Sequence, residues 1–130
     1  MPRAPQLLRL IRRWQDLLNL ENWKFSIRYV TDRSSYIYVN ENLACGRVWI
    51  WREESPPRAE ILILHPSCYT HDVEETVVHE LIHVLLPETM ETSIEEERAI
   101  NCLARVLVQL RRTATIKTGK PCRKPKNRKS

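Results

Sequence analysis

Val77-Val78-His79-Glu80-Leu81-Ile82-His83-Val84-Leu85-Leu86 is the stretch on which the chain turns. Residues four apart on a helix lie one above the other, so the imidazoles of His79 and His83 can reach one ion while Glu80 projects beside it. The apolar flanks Val77, Val78, Leu81, Ile82, Val84, Leu85 and Leu86 make this a helix buried on most sides. Such a helix carries two histidines and a carboxylate only if they have partners. Neutral imidazoles hold Zn²⁺ without cancelling its charge, and a neighbouring carboxylate is placed to take a proton from the water such an ion binds.

The helix needs both ends defined. Asp72 can cap its first turn, with Glu75 three residues on completing a capping box, and Pro87 stops it. Upstream, Leu7, Leu10, Ile11, Trp14, Leu17 and Leu18 recur at helical spacing between Pro5 and Leu20 and predict an amphipathic first helix. Trp23 to Tyr29 alternates at period two and predicts a half-buried strand; Tyr36 to Val39 is a candidate short strand. Ala44 to Arg52 predicts a strand with Val48 and Ile50 on one face and Trp49 and Trp51 on the other. Ala59 to His65 is the most strand-like apolar run, closed by Pro66.

After a polar connector, Glu88 to Thr92, a second capping signal at Ser93-Ile94-Glu95-Glu96 opens a last helix reaching Leu110 or Arg112. Ile100, Leu103, Ala104, Leu107 and Leu110 are its expected buried face. The expected fold is α+β: an N-terminal helix, a small, mainly antiparallel sheet of three or four strands, the motif helix and a C-terminal helix, with the helices on one side of the sheet.

Composition bounds what such a fold can do. A chain of 130 residues with four tryptophans and 42% hydrophobic residues supports one core. With only two glycines and no GxGxxG or GxxxxGK[ST], the phosphate-loop nucleotide chemistries are excluded. The net charge of +5 is concentrated at the end, where Lys117 to Ser130 carry seven Lys or Arg and no acid. We therefore expect a near-neutral domain over 1–112 and a basic disordered tail over 113–130, whose charge suits a weak nucleic-acid contact. Cys45, Cys68, Cys102 and Cys122 show no metal-knuckle spacing and read as free thiols. Arginines 9, 12 and 13 interrupt the first apolar run, and no stretch approaches the roughly 20 apolar residues of a membrane span, so the expected location is cytoplasmic.

Two histidines leave a catalytic zinc one protein ligand short. The candidates are His65, His71 and the acids of the last helix. His79-Glu80-Leu81-Ile82-His83 followed by Glu97-x-x-Ile100-Asn101-x-Leu103-Ala104 resembles the zincin superfamily in its gluzincin arrangement, where the third ligand is a glutamate on a following helix. In size and layout the chain is similar to small bacterial and phage-type zincin-like metallopeptidases, and more distantly to the ImmA/IrrE group.

The resemblance implies a zinc peptidase acting on a protein or peptide, with His79 and His83 as ligands and Glu80 as general base. It also implies that the strand Ile61 to His65 lies at the sheet edge above the site and pairs with an extended substrate. Glu95, Glu96 and Glu97 are consecutive, and local physics ranks them. Glu96 is the capping-box residue after Ser93 and Glu95 lies away from the apolar stripe, which leaves Glu97, with Asn101 one turn on suited to orient a ligand histidine. Simple wheel geometry puts Glu96 nearer the middle of the apolar stripe instead, so it stays the alternative.

His65 and His71 are read as a strand-end and a loop histidine, Tyr69 as a packing residue, and Trp49 and Trp51 as sheet-face residues. Two other functions compete: a zincin-type fold used for binding or regulation without turnover, and a nucleic-acid-associated protein delivered by its basic tail. Nothing in the sequence specifies an oligomeric state.

Overall fold

The computed structural model describes residues 3–86 and 93–118. Its elements in order are α1 (Ala4–Leu17), β1 (Lys24–Val30), a 3-10 turn (Ser35–Ile37), β2 (Tyr38–Val39), β3 (Asn42–Leu43), β4 (Gly46–Trp51), β5 (Arg58–Leu64), α2 (Val73–Leu85) and α3 (Ile94–Thr118). The class is α+β. Pro87, the Glu88 to Thr92 connector, Cys122 and the tail beyond Thr118 lie outside the described residues. Among the described residues no helix is long and apolar enough to cross a membrane.

The three-stranded sheet has the order β1-β5-β4, with β5 parallel to β1 and antiparallel to β4. It is thus mixed, because period-two patterning fixes which side chains turn inward but not the direction in which strands pair. β5 is central, which corrects the expectation that Ile61 to His65 forms the edge. Its Ile61, Leu62, Ile63 and Leu64 are all buried, as a strand covered on both faces requires. β2 and β3 form a separate two-residue hairpin through Asn40 and Glu41, both at positive φ (51° and 67°), the backbone hand that a tight hairpin turn needs.

All three helices pack on one face. Ile61 and Ile63 meet Leu7, Ile11 and Trp14 of α1, Val77, Val78 and Leu81 of α2, and Ile100, Ala104 and Val108 of α3. On the opposite face Leu62 and Leu64 cluster with Val30 and Ile37, and Tyr38, Trp49 and Cys68 pack against them.

α3 differs from expectation at two points. It continues to Thr118, six residues beyond Arg112, so the tail expected from Thr113 begins as helix. Its buried stripe is Ile100, Ala104 and Val108, whereas Leu103 and Leu110 are 48% and 61% exposed. The stripe is rotated because the helix is anchored by polar groups. Glu74 of α2 is buried and accepts hydrogen bonds from Trp14 Nε1 (2.8 Å) and from Arg111 Nε and Nη2 (2.7 and 2.8 Å). Arg112 pairs with Asp72 at 3.0 Å. These contacts tie α1, the start of α2 and the far end of α3 together, and fix which side of α3 faces α2.

Candidate metal centre

α2 is held at both ends. The Asp72 carboxylate accepts from the Glu75 backbone N–H at 3.1 Å, as the capping signal predicts. At the other end Arg52, just past β4, donates to the carbonyls of Val84 (2.8 Å), Leu86 (2.7 Å) and His83 (3.3 Å). A guanidinium there satisfies carbonyls that the last helical turn leaves without partners.

On this fixed helix the Nε2 atoms of His79 and His83 lie 3.2 Å apart. α3 brings Glu97 onto both: Oε2 is 2.9 Å from His79 Nε2 and Oε1 is 3.1 Å from His83 Nε2. Glu96 is occupied elsewhere. Its carboxylate accepts from the Ser93 N–H at 3.1 Å while its own N–H donates to Ser93 Oγ at 3.1 Å, the reciprocal box expected at this helix start.

Among the described residues, His79, His83 and Glu97 form a group of ligand-type atoms all within 4.8 Å of one another. Their separations fit a single ion. Bonds of ~2.0–2.1 Å around a tetrahedral zinc set donors roughly 3.3 Å apart. Burial lowers the His79 pKa against the opposing pull of Glu97, which favours the neutral, ligand-competent ring. Asn101 also acts on the His79 ring through a side-chain hydrogen bond, which by itself raises its pKa.

Glu80 is buried next to this group. Burial first, and the charge of Glu97 second, push its carboxyl up to about 8, while Arg47 pulls it down. β4 approaches α2 at this point because residue 46 is glycine: a Cβ there would sit 2.7 Å from Thr76 Cγ2 and 3.1 Å from Glu80 Oε2. The histidines, Glu80, Glu97 and Asn101 open onto a cleft of about 1020 Å³ whose other wall is the hairpin and β4.

The other candidates are engaged elsewhere. His71 lines the cleft, but its Nε2 bonds the Leu64 carbonyl (2.7 Å) and its Nδ1 the Thr76 hydroxyl (2.8 Å). His65 Nδ1 contacts Ser67, its ring lies edge-on to Tyr29, and Tyr69 is exposed. Gly46 and Arg52 escaped the sequence reading. Gly46 had a usable signal, as a glycine inside a strand marks a close backbone approach. Arg52 had none, since its role depends on where β4 ends relative to α2. Comparison with protein-family models, with curated protein sequences and with solved structures finds no match to this chain.

Proposed function

We propose that this protein is a zinc-dependent peptidase, a reading carried by one observation: Glu97, from a separate helix, meets both motif histidines with ligand-type atoms at single-ion spacing. His79, His83 and Glu97 would hold the ion. Bound there, Zn²⁺ would polarise a scissile carbonyl and make water acidic enough to attack it near neutral pH. With the charge of Glu97 offset, one of the two causes that keep Glu80 protonated falls away and Glu80 can act as a base. Glu80 takes the proton as the water oxygen attacks the carbonyl carbon, then gives it to the amine as the C–N bond breaks, leaving an acid and an amine.

The edge of the sheet supports a peptide substrate. Leu64 N–H donates to the Cys45 carbonyl at 2.8 Å, so by alternation Arg47 and Trp49 also bond toward β5. Gly46, Val48 and Ile50 then turn their N–H and C=O groups away from β5, on the outer edge of β4, and all three line the cleft. An extended peptide can pair with this edge and present its backbone to the histidines. The strand that serves this role is β4, in place of the central β5.

The test is metal content and turnover together. The purified chain should bind about one zinc, lose it in His79→Ala and His83→Ala, and cleave peptides only when loaded. Absence of zinc after equilibration with excess metal would overturn the proposal.

A further inference from the structure

The face of the sheet opposite the helices meets the cleft through Arg47, and the strand register sets its composition. One row across it runs Lys24, Arg58, Trp51; the next runs Ser26, Glu60, Trp49; the third runs Arg28, Leu62, Arg47. Lys24, Ser26 and Arg28 are exposed, and both tryptophans are partly so. The Arg58 guanidinium lies 3.8 Å over the Trp51 ring, Arg47 lies 4.8 Å over Trp49, and exposed Tyr36 stands edge-on to Trp49. Glu60 is the single acid in these rows. Glu54 at the margin pairs with Arg58 in an exposed contact that is worth little.

We propose that this face, through Lys24, Arg28, Arg47 and Arg58 interleaved with Trp49 and Trp51, binds single-stranded nucleic acid. The charge argues for a polyanion: outside the basic tail the chain is near neutral, yet four cations gather on this one surface. The planar groups argue for bases. Two stacking platforms two residues apart on one strand, about 7 Å, each paired with a guanidinium, offer base faces and phosphates what they need at the same place. An acidic protein surface would use the cations but leave the stacks without a purpose. This inference is independent of the tail, and it shares Arg47 with the cleft.

The experiment measures binding of fluorescein-labelled 12-mers of dT and rU to the full-length chain by anisotropy, across a salt series. In every chain compared, the Lys and Arg residues from 120 to 129 are changed to Gln, so that the tail does not dominate. Lys24→Glu with Arg28→Glu, both exposed and therefore compatible with the fold, should weaken binding at least ten-fold and flatten the salt slope by about 1.4, two phosphate contacts' worth. Trp51→Leu should cost about ten-fold with the slope unchanged, and tryptophan emission should be quenched on binding in the chain that retains Trp51. Unchanged affinity in the Lys24→Glu, Arg28→Glu chain would overturn the proposal. So would an acidic polypeptide such as polyglutamate displacing the oligonucleotide while Trp51→Leu has no effect, which would make this a general acidic-protein surface.

Discussion

Gly46 and Glu80 meet across the β4–α2 interface so closely that a methyl group at residue 46 would fall 3.1 Å from the Glu80 carboxylate and 2.7 Å from the Thr76 methyl. The spacing lets the edge strand lie against the motif helix. It also helps to bury Glu80, and burial raises its proton affinity.

Gly46→Ala should therefore destabilise the fold by about 1–3 kcal/mol, the usual cost of an overpacked contact, and should reduce peptide turnover more than zinc binding. Urea unfolding, zinc content and turnover measured on the same preparation check this. Wild-type stability and turnover would show that the strand moves freely away from the helix.

Glu97 and Glu96 are adjacent in sequence and differ in their contacts, Glu97 meeting the two histidines and Glu96 the Ser93 cap. Glu97→Ala should lower zinc affinity by orders of magnitude, Asn101→Ala by roughly 10- to 100-fold, and Glu96→Ala should leave affinity near wild type while costing about 0.5–2 kcal/mol of helix cap. Competition with a chelator, together with thermal melts, separates the three. A large affinity loss in Glu96→Ala alone would reverse the assignment.

That pair also shows how far local chemistry reads in this sequence. The reciprocal box of Ser93 and Glu96 was legible because capping depends on residues three apart, and so were the two histidines on one face of α2. The helical wheel misled because it counted Leu103 and Leu110 as core. α3 is turned by the Glu74–Arg111 and Asp72–Arg112 contacts, which join residues about forty apart, and the stripe so created, Ile100, Ala104 and Val108, has Glu97 in line with it. Strand order was hidden for a similar reason. The burial of Leu62 and Leu64 on a second face marks β5 as central, yet the parallel pairing with β1 arises only from the whole chain's path.

Glu80→Gln should keep the fold and the zinc but lose at least 10²-fold in turnover of any peptide the wild type cleaves, because it removes a proton acceptor and little else. The amide is isosteric and the site already favours a neutral side chain, so melting temperature should hold or rise. Turnover equal to wild type would exclude Glu80 as the base.

Glu74 and Asp72 both carry carboxyls held below their ordinary pKa. Burial alone would raise the Glu74 pKa, but hydrogen bonds from Arg111 and Trp14 and the charges of Arg111 and Arg112 outweigh it and leave the carboxyl below its ordinary value. Asp72 is likewise lowered, burial being outweighed by Arg112 and by the backbone N–H groups of Glu75 and Glu74. A carboxyl that is more acidic folded than unfolded makes the unfolded chain bind more protons in the acid range, so stability rises with pH there. The contribution is complete above the unfolded values of about 3.9 for Asp and 4.3 for Glu, and it is lost as pH falls through the lower folded values. Glu74→Gln should remove about 3 kcal/mol at pH 7, because Arg111 loses the buried Glu74 carboxylate while Arg112 keeps Asp72, and should flatten the decline in melting temperature between pH 5 and about pH 2. Melts across that range for wild type and variant measure both effects. Parallel curves would mean that Glu74 contributes no proton linkage to the fold.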